Sequence, residues 1–260
     1  MNANWPLISI LLVVGGSALA IAGLLYVRRS ERFTRVFNEN EVAGLLFSVM
    51  GLVYGALLAF IVFATWETYS GAEHSVVQEG ADLVQVYRDI QEFPEPQRTQ
   101  AQAEIRTYIT KVMATEWVSH GTLNPHTTPD LLNPLWATYR SITPASAPAT
   151  LDIAAAQDHL SQLELQRHLR HLSGETTLPW VFWPILVLGA FLLVVFSWFF
   201  NHSNARAQAL MTGVSTAMLI GVLLLIFSLN QPFTGPVAVS QQPLEHALSQ
   251  FSALDLPPAP

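Results

Sequence analysis

The stretch Val42–Trp66, VAGLLFSVMGLVYGALLAFIVFATW, holds no Asp, Glu, Lys, Arg or His between Glu41 and Glu67. At about 1.5 Å per residue such a run spans about 37 Å, enough to cross a hydrocarbon core of about 30 Å. A helix of this kind has no water-facing side, so it belongs in lipid.

Three more runs share the pattern. Trp5–Val27 is uncharged and stops at Arg28-Arg29; Leu178–Phe200 is rich in Trp, Phe and Leu; Ala207–Leu229 follows Arg206 and ends at Asn230-Gln231-Pro232. A cleaved signal peptide is the alternative for the first run, because Ala18-Leu19-Ala20 has the form of a cleavage site. Nothing basic precedes that run and the positive charge comes after it, which favours a span. Trp5, Tyr26, Trp66, Tyr69, Trp180, Trp183 and Trp198 sit near the proposed ends, where amphipathic rings prefer the interface.

The expected fold class is therefore an all-α membrane protein with four transmembrane helices: 5–27, 42–66, 178–200 and 207–229. A helical soluble domain, 67–177, is inserted between the second and third, and 230–260 is read as a Pro-rich tail. Charged residues make up 12% of the 260-residue chain, about half of what a soluble domain carries, and they cluster between the apolar runs.

In the soluble domain Val76, Val77, Gly80, Leu83, Val84, Tyr87 and Ile90 recur at helical spacing, so the second span continues as one rod to Pro94. Pro94 and Pro96 mark a turn. Ile105, Tyr108, Ile109, Val112 and Trp117 line a second helix, and Leu135, Trp136, Tyr139 and Ile142 a short third after Pro134. A polar loop is expected at 119–130. The Pro/Ala/Ser-rich stretch 143–150 reads as a linker, before a helix carrying Leu160, Leu163, Leu169 and Leu172.

A net charge of −7 with a single lysine, Lys111, leaves no basic stripe and excludes nucleic acid as a partner. No nucleophile elbow, Walker loop, Rossmann glycine pattern or His-Glu-x-x-His helix is present, so an enzyme is not expected and no cofactor is called for. The spans lack internal ionisable residues, which argues against proton-coupled transport and leaves a passive pore open. Arg28, Arg29, Arg32 and Arg35 in the first short loop and Arg206 in the last place those loops in the cytoplasm, and both termini and the soluble domain outside it.

Two constellations could carry function. Gly44, Ser48, Gly51, Gly55 and Ala59 step by four, three, four and four along one face of the second span; such a seam serves ordinary helix packing or a pore-facing surface. Glu164, His168 and His171 lie on one helical face with His159 nearby, a spacing used by zinc sites and equally by a plain polar helix face.

Asn40-Glu41-Val42-Ala43-Gly44 followed by Gly51, Tyr54 and Trp66-Glu67 resembles the bacterial bestrophin-like domain family. So do Leu178-Pro179-Trp180, Arg206 with Ala209-Leu210-Met211-Thr212, and Pro232-Phe233-Thr234-Gly235. That family is linked to bestrophins, pentameric anion channels with four membrane helices per subunit. The Gly55…Trp66…Tyr69 spacing is similar to theirs. The resemblance implies a homo-oligomer, a pentamer by analogy, in the bacterial inner membrane, passing small anions such as chloride through a pore lined by the second helix.

The bulky neck residues of bestrophins fall at Ser48, Leu52 and Ala56, two of them small here. Pro236–Val239 replaces the acidic calcium-clasp run, and Asn230-Gln231 stands where the family carries a charged Asp-Arg pair. Bestrophins also keep their helical domain in the cytosol, opposite to what the arginines here indicate. The alternative function is a non-conducting membrane scaffold or sensor whose helical domain binds a partner.

Overall fold

The computed structural model describes residues 5–29, 40–117, 130–144, 146–200, 204–234 and 237–255, with only the backbone given for 40–43. The described residues are helical, with no strand, and fall into two compact units. Unit 1 comprises 1–67, 178–231 and 235–237, and unit 2 comprises 68–177, 232–234 and 238–260.

Unit 1 is built from α1 (Trp5–Arg29), the first part of α2 (Asn40–Gln91), α6 (Phe182–Ser197) and α7 (Ala205–Leu229). Three helices, α1, α2 and α7, are long and apolar enough to cross a membrane. Their outer faces carry large apolar side chains with no cover: Leu19 is 75% exposed, Phe60 69% and Met218 72%. In water each such side chain would forgo roughly 1.5–3 kcal/mol of burial, so lipid is the solvent this surface fits.

The fourth apolar helix, α6, is only 16 residues, shorter than the span 178–200 expected from hydropathy. Tight turns take up both ends. Phe182 N donates to Pro179 O (3.0 Å) and Trp183 N to Trp180 O (3.2 Å); beyond the helix, Phe199 N donates to Phe196 O (3.1 Å). Pro179 disfavours helical backbone at Leu178 before it, so Leu178 stays outside the helix. Leu178 N is instead capped by Asn230 Oδ1 at 2.6 Å.

The interior of unit 1 is narrow. Tyr54, Leu58 and Ile61 of α2 pack on Leu186, Ala190 and Leu193 of α6 and Ile226 of α7. Tyr54 donates its hydroxyl to Leu186 O at 2.5 Å. Gly189 lets the ring lie flat on α6: a Cβ there would overlap the ring of Tyr54.

Unit 2 holds the rest of α2, then α3 (Gln97–Lys111) ending in a π-turn (Val112–Glu116), α4 (Asn133–Ser141), α5 (Ala147–Glu175) and α8 (Gln242–Leu254). Its core joins Leu83, Tyr87 and Ile90 of α2 to Ile105 and Ile109 of α3, Tyr139 of α4, Leu160 and Leu163 of α5, and Leu244 and Phe251 of α8. The second helix runs unbroken to Gln91, as its stripe indicates.

Two expectations need correction. The stretch 143–150 is not linker throughout: Ser146 caps α5, its side chain accepting from Ala149 N (3.4 Å), and Pro148 sits in the first turn, where its missing N–H costs nothing. The region 230–260 is not merely a Pro-rich tail. Pro243 likewise opens α8, and Leu244, Ala247 and Phe251 are buried in the core of unit 2. Most of the loop expected at 119–130, with His120 and His126, lies outside the described residues.

Candidate functional site

The small-residue face of α2 is bare. Ser48, Gly55, Ala56 and Ala59 are exposed, Leu52 is 74% exposed, and Gly44 and Gly51 are half-buried. A Cβ built at Gly51 or Gly55 would meet nothing within 4 Å, and at Gly44 only Phe200, at 3.8 Å. Within the chain, α2 packs through the neighbouring face of Tyr54, Leu58 and Ile61 instead. Among the described residues, packing inside the chain makes little use of the seam.

Beside it lies an apolar cavity of about 270 Å³, lined by Gly51, Gly55 and Leu58 of α2, Leu193 of α6, and Thr212 and Thr216 of α7. Thr216 Oγ1 donates to Thr212 O (2.7 Å) and Ser48 Oγ to Gly44 O (2.9 Å), so these hydroxyls are satisfied by their own helices. The cavity offers apolar walls and no charge.

Unit 2 supplies what the sequence alone did not reveal, a buried charge network. Glu79 of α2 is fully buried and accepts from Arg170 Nε (2.6 Å) and from Tyr108 Oη (2.6 Å). Arg170 Nη2 also donates to Glu116 Oε2 (2.7 Å), and Arg167 Nη2 donates to Glu116 Oε1 (2.8 Å). The Arg170 guanidinium lies over the Trp117 ring at 5.8 Å.

Burial alone would raise the Glu116 carboxyl; nearby His171, Arg170 and Arg167 outweigh it and hold it well below the usual carboxylate range. Burial pushes the Tyr108 phenol far up, and neighbouring Glu79 adds to that. The partners come from helices far apart in sequence, which is why spacing gave no sign of them.

Glu164, His168 and His171 do line one open cleft of about 470 Å³, together with Asp130 and Arg167. Two of the three make contacts of their own: Glu164 Oε2 accepts from Trp136 Nε1 (3.0 Å), and His171 Nε2 lies 3.1 Å from Glu116 Oε2. His159 is drawn elsewhere, onto Asp89 Oδ2 at 2.7 Å. Among the described residues no group of three or more His, Asp and Glu is set to hold a metal ion.

Three helices long and apolar enough to cross a membrane, in a chain whose other unit buries ion pairs in its core, define a helical protein of membrane type. The chain belongs to the bestrophin-like family: the sequence model of the bestrophin-like domain matches residues 14–244. Among curated proteins none matches.

Its fold is similar to crystal structures of a bacterial bestrophin homologue from Klebsiella pneumoniae. Variants of that homologue with an isoleucine-to-threonine and with a leucine-to-threonine substitution each match at 15% identity and a TM-score of 0.65. In both cases 95% of this chain and 98% of the other are covered. A variant with an aspartate-to-alanine substitution matches to the same extent.

Proposed function

We propose that the protein assembles as a homo-oligomer, a pentamer by analogy with bestrophins, and passes small anions such as chloride along the seam of α2. In this reading α1, α2, α6 and α7 all cross the bacterial inner membrane. The observation that carries it is the bare face itself: Ser48, Leu52, Gly55 and Ala59 are left exposed on a helix whose adjacent face is packed. Subunits arranged in a ring would bring such faces together around an axis. A path without ionisable side chains can still conduct, and can gate by wetting and dewetting.

Purified protein in liposomes should show chloride flux and run in detergent as an oligomer. A monomer with no conductance at any voltage or pH would contradict the proposal. The arginine pattern puts both termini and unit 2 on the periplasmic side. A C-terminal alkaline phosphatase fusion is then active, and an inactive fusion reverses the orientation.

Ser48 and Ala56 favour a second reading. Where bestrophins narrow, this chain is small, so nothing at those positions closes a tight hydrophobic neck. A non-conducting scaffold or sensor whose unit 2 binds a partner would show oligomers and partner capture without flux. No catalytic role is proposed, and Glu164, His168 and His171 stay a candidate metal site only if elemental analysis finds bound metal.

A further inference from the structure

Unit 1 carries its exposed positive charge at one end. Arg28 and Arg29 close α1, and Arg206 lies in the first turn of α7. Gln208, 5% exposed, joins these helix ends: Arg28 Nη1 donates to Gln208 Oε1 (2.6 Å), and Gln208 Nε2 donates to Phe200 O (2.7 Å). Arg29 and Arg206 are exposed. Among the described residues neither forms an ion pair.

Among the described side chains of unit 1 no carboxylate opposes this charge at that end. Glu67 is the one acidic residue of unit 1 whose side chain is described, and the whole apolar run of α2 separates it from Gly44. In the intervening loop sequence Arg32 and Arg35 are balanced by Glu31 and Glu39, with Glu41 just beyond. The first turn of α7 adds the positive end of a helix dipole. Tyr26, one turn before Arg29, is 75% exposed at the end of an apolar helix, the place of a ring at headgroup depth.

We propose that this end of unit 1 binds the phosphate of anionic phospholipid headgroups, with Arg29 and Arg206 as the contacting cations. Arg29 and Arg206 extend from two helix ends that the Arg28–Gln208 hydrogen bond joins, and a phosphate diester accepts guanidinium N–H donors. The chemistry is complementary and the ligand is at hand, because a helix that spans lipid ends among headgroups. The inference needs only membrane insertion and stands whether or not the protein conducts.

The test uses the full chain in detergent with dansyl-labelled phosphatidylglycerol, read by energy transfer from tryptophan. Unlabelled phosphatidylglycerol should compete and phosphatidylcholine should not. Arg29→Gln and Arg206→Gln should each weaken binding about five-fold, and the double variant about twenty-five-fold. Equal competition by phosphatidylcholine would overturn the proposal, a result readable on the unaltered protein even if a variant fails to fold. Full affinity in a folded double variant would overturn it too. Competition by inorganic phosphate as strong as by phosphatidylglycerol would make free phosphate the ligand and overturn the lipid assignment.

Discussion

One helix, α2, spends its first half in unit 1 and its second in unit 2, and the two halves solve opposite problems. From Gly44 to Trp66 it has no Asp, Glu, Lys, Arg or His and buries a single narrow face through Tyr54, Leu58, Ile61 and Thr65. From Thr68 to Gln91 it buries Ala72, Val76, Leu83, Val86, Tyr87 and Ile90, and with them the charges of Glu79 and Asp82. A lipid-facing helix needs no apolar core, because its surroundings are already apolar; packing of small residues and a few hydroxyls holds it. The second half has an apolar core of its own, and there Arg170 meets Glu79 while Asp82 takes a hydrogen bond from Gln78.

The largest expected effect breaks the second half alone. Arg170→Met leaves Glu79 and Glu116 buried without their shared partner, and should cost about 3–5 kcal/mol. Thermal unfolding followed by circular dichroism would show loss of the helices of unit 2, while the apolar helices persist in detergent. A change of under about 1 kcal/mol would mean the network is a bystander.

Phe251→Ala should cost nearly as much, about 3–5 kcal/mol. Phe251 stacks on Tyr87 with ring centroids 4.0 Å apart, and Arg106 lies over both rings while pairing with Asp255. Gly80 receives the same helix: a Cβ there would come 2.9 Å from Pro243 O. Protease resistance of α8 in the variant, equal to that of the unaltered chain, would deny it a place in the core.

Acid should also separate the halves. The folded Glu116 carboxyl is depressed, so its contribution is complete above the unfolded value near pH 4 and disappears as pH falls through the folded one. Unit 2 should lose stability below about pH 4, and Glu116→Gln should flatten that limb. Unit 1, with no buried carboxylate among its described residues, should not respond.

Two substitutions in the first half sharpen the contrast at smaller scale. Gly189→Ala drives a methyl into the Tyr54 ring and should cost about 1–3 kcal/mol. Gly55→Leu meets open space within the subunit, so its effect on subunit stability should stay within about 0.5 kcal/mol while oligomer size or flux changes. If Gly55→Leu left both assembly and flux untouched, the seam would be plain lipid-facing surface.

The long helices were legible because a charge-free run of that length has few other homes; α1 and α7 fall within a few residues of their hydropathy limits, and α2 starts near its own and runs on along its apolar stripe. The ends of α6 were not, since Pro179 and the Trp-Phe-Phe at 198–200 are apolar enough to read as span while forming turns. Prolines misled twice more. Pro148 and Pro243 suggested breaks, yet each sits in the first turn of a helix; the stripe Leu244, Ala247, Phe251 and Leu254 was the available signal for α8.

The charge network could not be read at all, because Glu79 and Arg170 lie 91 residues apart and nothing local links them. For the seam, spacing gave the residues, and only the structure showed that the other described residues leave them largely uncovered.

The chain has no cysteine, so single cysteines can be walked along α2 without a background. In reconstituted protein, a membrane-impermeant thiol reagent should block chloride flux when the cysteine replaces Ser48, Leu52, Gly55 or Ala59, and should have no effect at Val53 or Phe60. Block at Val53 and Phe60, or none on the Ser48–Ala59 face, would contradict a water path along this helix.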